Sequence, residues 1–183
     1  LYNSDVSEIL VSGETAFNTA RSYIKEMVPS QIKRVKNFKD TKNSIFQKYN
    51  VEKQLDSMYL PSVKLKSGGY IVINQTEALV AIDVNSGRST KERNIEETAL
   101  KTNLEAAEEV ARQLKLRDLS GLIVIDFIDM EGYKNQHSVE KKLKEAMSSD
   151  RARIQIGRIS HFGLLELSRQ RLRPSVSENY FST

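Results

Sequence analysis

Two apolar runs in this 183-residue chain end in an aspartate, and a carboxylate delivered by a strand is the feature best suited to chemistry. The first run reads Leu79-Val80-Ala81-Ile82-Asp83-Val84-Asn85-Ser86, and the second reads Gly121-Leu122-Ile123-Val124-Ile125-Asp126-Phe127-Ile128-Asp129. Short β-branched runs bounded by turn residues predict strands covered on both faces, where a carboxylate is costly unless it is paired or binds a metal. Two of them suggest one cation held between Asp83 and Asp126. The alternative is that each aspartate only closes its strand through an Asx turn.

The rest of the composition limits which cation that is. The chain has no cysteine and only two histidines, His137 and His161, so thiolate zinc sites and His-rich sites are excluded within it. A metal here must be held by oxygen, which favours Mg²⁺, with Mn²⁺ as the other fit. With 39% hydrophobic and 28% charged residues the chain reads as a folded globular protein rather than a disordered one. No apolar run approaches the roughly 20 residues of a membrane span, and no charged-then-apolar leader is visible, so a cytoplasmic protein is expected. A net charge of +4 permits a polyanionic partner without demanding one.

The elements that must position the aspartates follow from periodicity and turn signals. Gly87 to Lys91 is a polar loop, and Asn94 can cap a long helix with Glu96 and Glu97 in its first turn. Leu100, Leu104, Ala107, Val110, Ala111 and Leu114 make one face of that helix to about Leu116. Strand, long helix and strand form a crossover unit, in which the strands lie parallel and both carboxylates emerge at one edge of the sheet. Upstream, Val63 to Leu65 and Tyr70 to Asn74 flank Ser67-Gly68-Gly69 as a hairpin. Downstream, a helix begins at Asn135, with Val139, Leu143, Ala146 and Met147 as its apolar face.

The opening segment reads as a separate piece: a strand at Ser7 to Val11, an amphipathic helix at Glu14 to Met27, and an edge-like strand at Gln31 to Phe38. The helix should bury Phe17, Ala20, Tyr23, Ile24 and Met27. One or two short helices fill Asp40 to Tyr59. This piece is short for a self-sufficient domain, so it is expected to be the tail of a domain that begins upstream. The boundary is placed at 1–58 and 59–174, with 175–183 as a polar, frayed tail.

From Arg151 to Arg173 the balance of charge tips. Arg151, Arg153, Arg158, Arg169, Arg171 and Arg173 face Glu166 as the only carboxylate of that stretch. Two strands, Ile154 to Ile159 and Leu164 to Ser168, lie among them. Guanidinium groups fork onto phosphate oxygens, so this strip is the best candidate for a nucleic-acid surface. Plain solvation of charged side chains is the competing explanation.

Several separate words carry a resemblance: Ala81-Ile82-Asp83-Val84-Asn85-Ser86, Asn94-Ile95-Glu96-Glu97-Thr98, Thr102-Asn103-Leu104-Glu105-Ala106-Ala107, Arg117-Asp118-Leu119, Gly121 to Met130, and Asp150 to Gln155. In this order and spacing they resemble the catalytic core of the bacterial ribonuclease E/G family, densely from Gly69 to Pro174 and loosely before it. The resemblance implies an α/β fold: a mixed sheet flanked by helices, of the deoxyribonuclease-I-like kind. A partial strand-helix-strand piece of the RNase-H-like kind would precede it.

The resemblance also implies a site and a reaction. Asp83 and Asp126 match the two magnesium ligands, and Asn85, two positions on and able to point the same way, matches a hydrogen-bonding partner of the site. Arg153 matches a family arginine near the RNA and would neutralise charge on the phosphate backbone; Arg169, from the basic strip itself, is the other expected phosphate contact. Asp129 should point elsewhere by strand alternation. The implied activity is Mg²⁺-dependent endonucleolytic hydrolysis of single-stranded, A/U-rich RNA to 5′-monophosphate and 3′-hydroxyl ends, in RNA processing and mRNA decay. Family members also carry an S1-type RNA-binding domain, a sensor for the RNA 5′ end and a cysteine motif that shares zinc between subunits. This chain has none of them, so no zinc link can form within it. A homodimer through the catalytic subdomain is expected, with degradosome-type partners and peripheral inner-membrane association belonging to full-length members. Two other readings use the same residues: an RNA-binding or assembly module with little activity alone, and a metal-dependent phosphatase of small phosphate esters. The arginine strip argues against the phosphatase.

Overall fold

The computed structural model describes residues 6–40, 42–87 and 95–172. The chain divides into two compact units, Leu1–Ser57 and Met58–Thr183.

In the first unit, β1 (Ile9–Ser12) is followed by α1 (Glu14–Met27) and a 3₁₀ helix over Pro29–Arg34. Next comes β2 (Val35–Phe38), parallel to β1 with Ile9 opposite Val35. The strand expected from Gln31 therefore begins four residues later. Pro29 sits in the first turn of the 3₁₀ helix, where its fixed φ and missing N–H suit a helical start better than a strand. The apolar stripe of α1 is not buried as expected. Phe17, Ala20 and Ile24 are half-buried, while Tyr23 is 61% and Met27 64% exposed. Two short helices complete the unit: α2 (Ile45–Lys48), which opens on a Ser44–Gln47 capping box, and α3 (Val51–Ser57).

The second unit is a mixed, mostly antiparallel sheet flanked by helices. Its strands are β3 (Ser62–Lys64), β4 (Tyr70–Gln75), β5 (Val80–Asn85), β6 (Gly121–Asp126), β7 (Ile154–Ile159) and β8 (Leu164–Arg169), in the order β3-β4-β5-β6-β8-β7. Only β5 and β6 run parallel. Between them the chain makes its crossover through α4 (Ile95–Leu116), whose length and start match the apolar periodicity. The second helix, α5 (Tyr133–Met147), follows β6 and packs on α4.

Alternation within the strands decides where the core lies. Ile71 and Ile73 of β4, Val80, Ile82 and Val84 of β5, Ile123 and Ile125 of β6, and Leu165 and Leu167 of β8 are all buried. They form one cluster with Ala106, Val110 and Leu114 of α4 and Val139 and Leu143 of α5. Of the alternate residues Asp83, Leu122 and Asp126 are exposed, and Val72, Ala81, Val124 and Leu164 are half-buried. The runs that read as covered on both faces are thus buried on one face among the described residues. Asp83 and Asp126 stay in reach of solvent, so they carry only part of the desolvation cost that strands covered on both faces would impose. The expected Asn94 cap and the tail 175–183 lie outside the described residues.

Candidate metal centre and nucleic-acid interface

Parallel pairing of β5 with β6 puts Asp83 directly opposite Asp126. Val72 stands opposite Asp83 on β4, and Leu164 opposite Asp126 on β8, so Val72, Asp83, Asp126 and Leu164 form one row across the sheet. Neighbouring strands lie about 4.8 Å apart, a spacing at which one ion can reach an oxygen of each carboxylate. Asn85 points the same way as Asp83 and donates its Nδ2 amide to Asp83 Oδ2 at 2.7 Å. That bond fixes one carboxylate oxygen and leaves Oδ1 for a ligand.

The loop after β6 supplies a third carboxylate. Asp129 lies three residues beyond the end of β6, near enough for its charge to act on Asp126, and among the described residues it does not join Asp83 and Asp126 in a three-carboxylate ligand group. Gly163 lies between the two side chains, at φ +76°. A Cβ on it would crowd Asp129 Oδ1 at 3.0 Å and the Phe127 carbonyl oxygen at 3.2 Å, while Asp126 Oδ1 at 4.0 Å would be in ordinary contact, so a side chain here would press on Asp129 and on the backbone after Asp126. The Asp126 carboxyl is held above the usual range, first by partial burial and then by the negative charges of Asp83 and Asp129.

This surplus of negative charge, an all-oxygen donor set and one oriented carboxylate fit a hard divalent cation. Among the described residues no group of three or more His, Asp or Glu side chains is placed to hold an ion alone. Two protein carboxylates with water and substrate oxygens completing the shell is a mode Mg²⁺ accepts.

Two clamps, one buried and one half-exposed, hold the loop that follows Asp126, and neither was foreseen. Asn103, on α4 and 0% exposed, donates Nδ2 to the Ile128 carbonyl at 2.8 Å and accepts the Ile128 amide on Oδ1 at 3.0 Å. Glu96, at the start of α4, accepts from the Glu131 and Gly132 amides and from Asn135 Nδ2. These bonds, the one from Asn135 foremost, lower its carboxyl below the ordinary range. An Asn inside a long helix gives no sign in sequence of the distant backbone it will meet. On the other flank Gly69 packs against the end of β5, where a Cβ would come within 2.6 Å of the Asn85 carbonyl oxygen.

The arginine strip divides. Arg153 is exposed and borders a groove of about 410 Å³ with Gly121, Gln155, Ser168 and Gln170. It lies beside the strand end where Ile154 pairs with Arg169 and Arg169 with Gly121, the end of β6 opposite Asp126. Five residues of β6 separate the two ends, roughly 17 Å of strand. Arg169 is a correction to the expectation of phosphate contact. It is 4% exposed and its donors are committed: Nε to Asp150 at 2.9 Å, Nη2 to Asp150 at 3.3 Å, and Nη1 to Asp118 at 3.0 Å and the Leu119 carbonyl at 2.9 Å. A guanidinium enclosed by two carboxylates ties the β8 end to the loops before β6 and β7. It has little left to offer a phosphate. Arg158, also exposed, lies on β7 nearer the carboxylate end.

Comparison with known proteins places this geometry among relatives. The family model described as "Ribonuclease E/G family" matches residues 1–172. Ribonuclease E of Haemophilus influenzae is 54% identical over 175 residues, covering 96% of this chain and 19% of that protein. Ribonuclease E of Escherichia coli is 52% identical over 176 residues, covering 96% of this chain and 16% of that protein. Ribonuclease G of Salmonella typhimurium is 36% identical, covering 95% of this chain and 35% of that protein. The chain spans about a fifth or less of the length of the two ribonuclease E relatives. With a matching family model along almost all of its length and more than half its residues shared with a ribonuclease E, the chain belongs to the Ribonuclease E/G family.

Proposed function

We propose that this chain carries the catalytic carboxylates of a Mg²⁺-dependent endoribonuclease acting on single-stranded, A/U-rich RNA in RNA processing and mRNA decay. The observation that carries the reading is the registered pair Asp83 and Asp126, with Asn85 donating to Asp83, in a chain of this family. Asp83 and Asp126 would hold the ion from adjacent strands, and Asn85 orients the first of them. Bound there, Mg²⁺ supplies Lewis-acid charge to the scissile phosphate and acidifies water; Mn²⁺ is the alternative ion. Water adds in line at phosphorus, the bond to O3′ breaks and O3′ takes a proton. The ends left are a 5′-monophosphate and a 3′-hydroxyl. Arg153 neutralises backbone phosphate at a distance from the reacting centre.

The unit Met58–Thr183 is on this reading the deoxyribonuclease-I-like subdomain, and Leu1–Ser57 the closing part of an RNase-H-like one. The setting is cytoplasmic, and a homodimer would draw on apolar residues that α4 leaves exposed, such as Ile95 and Leu116. Among the described residues no helix is long and apolar enough to cross a membrane.

Single-turnover cleavage of an A/U-rich single-stranded RNA, with and without Mg²⁺, tests the proposal. Asp83→Asn and Asp126→Asn should each abolish cleavage while the fold is retained, because each removes a ligand and also relieves repulsion. Unchanged cleavage in either variant at limiting Mg²⁺ would sink the site assignment. A second reading is an RNA-binding or assembly module, which the exposed Arg153 and Arg158 would equally serve. Salt-dependent RNA binding without any Mg²⁺-dependent cleavage would establish it instead.

A further inference from the structure

Among the described residues the most exposed aromatic side chain is Phe162, at 83%. It stands at the tip of the β7–β8 hairpin, and the tip is built rather than loose. The Ser160 amide donates to the Leu164 carbonyl at 2.8 Å, the Gly163 amide to the Ser160 carbonyl at 3.0 Å, and the Phe162 amide to Ser160 Oγ at 3.3 Å. The Gly163 carbonyl accepts the Phe127 amide at 3.3 Å, which ties the tip to the residue after Asp126. A defined turn thus holds a phenyl ring in water, where it gains nothing from burial within the described residues.

Its place explains more than its exposure. Gly163 lies against Asp129 and within reach of Asp126, and consecutive Cα atoms lie about 3.8 Å apart, so the backbone of Phe162 is one residue from that contact. Leu164, two residues on, is the strand partner of Asp126. His161 and Arg158 on the same hairpin are exposed and supply donors for phosphate. An aromatic ring beside cationic side chains is the arrangement by which proteins hold single-stranded nucleic acid without reading its sequence, since every base has a π face.

We propose that Phe162 is a stacking platform for one base of the RNA next to the scissile phosphate, and that it fixes which phosphate lies over Asp83 and Asp126. The inference rests on the nuclease reading for its substrate. It accounts for register along the strand, which two carboxylates alone cannot set. Because stacking tolerates any base, the residue adds affinity and position without sequence preference.

The chain contains no tryptophan, so Phe162→Trp makes a single fluorescent reporter at the proposed contact. The 183-residue protein is titrated in EDTA, which keeps the RNA intact, with a 10-nucleotide A/U-rich strand and with versions carrying one abasic position each. The expected result is a change in tryptophan emission on binding that one abasic position removes and the others keep. Phe162→Ala should bind about 5- to 150-fold more weakly, the range for loss of one stacked base, with an unchanged urea midpoint. Phe162→Tyr should bind like the parent. With Mg²⁺ present, Phe162→Ala should raise KM far more than it lowers kcat and should scatter cleavage over neighbouring phosphates.

RNA affinity in Phe162→Ala equal to the parent would overturn the proposal, and would mean that the ring faces a protein surface. So would an emission change indifferent to every abasic position. If the parent binds RNA through Phe162 yet never cleaves it with Mg²⁺, the nuclease reading fails and the platform stands. If the parent cleaves and Phe162→Ala cleaves with the same KM and sites, the platform alone fails.

Discussion

Replacing Arg169 by alanine separates a structural arginine from a phosphate-binding one. The substitution removes four hydrogen bonds and both ion pairs, and it strands Asp150, whose side chain is 3% exposed, beside Asp118 at 13%. Removing one partner of a buried pair typically costs about 3–5 kcal/mol, because the remaining charge keeps its desolvation penalty and loses its compensation. Against a total stability on the order of 5–15 kcal/mol, that is a large fraction. With a urea dependence of roughly 1–3 kcal/mol per molar, the midpoint should fall by at least about 1 M at neutral pH. Arg169→Lys retains the charge without the planar fork and should fall between the two. The assay is urea unfolding followed by circular dichroism, with RNA affinity measured on the folded fraction across a salt series. The salt slope of binding should match the parent. An unchanged urea midpoint together with a slope lower by about one ion would refute the reasoning and return Arg169 to the RNA surface.

Other expectations follow from the same contacts. Asn103→Ala should cost about 2–4 kcal/mol, since it leaves the Ile128 amide and carbonyl unpaired, and amide exchange at Ile128 should accelerate; unchanged protection there would show that the clamp is dispensable. Gly69→Ala should destabilise by about 1–3 kcal/mol and weaken Mg²⁺-dependent cleavage, because its Cβ would press the Asn85 carbonyl at 2.6 Å; equal stability and rate would show that the turn simply yields. Burial raises the Asp150 carboxyl, but the Arg169 hydrogen bond, the Ala152 amide and the charges of Arg169 and Lys115 outweigh it and hold the carboxyl below its ordinary value. Its folded pKa being depressed, the stability it contributes is present above its unfolded pKa of about 3.9 and is lost as pH falls through the folded value. Asp150→Asn should therefore be less stable than the parent at neutral pH, with a gap that closes below about pH 4 in acid titrations of the urea midpoint.

The sequence by itself determined the order of elements from Val63 to Arg169, and for a local reason. Apolar spacing of 3.6 over Ile95 to Leu116, and β-branched runs before Asp83 and Asp126, are properties of neighbouring residues. The length of helix between the two runs was enough to require a crossover and hence parallel strands. That Asp83 stands opposite Asp126, rather than one residue off and on the other face, was decided only by packing Ile82 and Ile125 into the same core. Arg169 shows the limit most clearly. Counted along the chain it is one more cation in a basic strip, and only the fold brings Asp118, 51 residues away, and Asp150 to its guanidinium. Asn103 was passed over because its partner is a backbone 25 residues downstream. Periodicity carries local information; which charge meets which, and which loop meets which helix, is settled by long-range contacts that leave no mark on the residues in between.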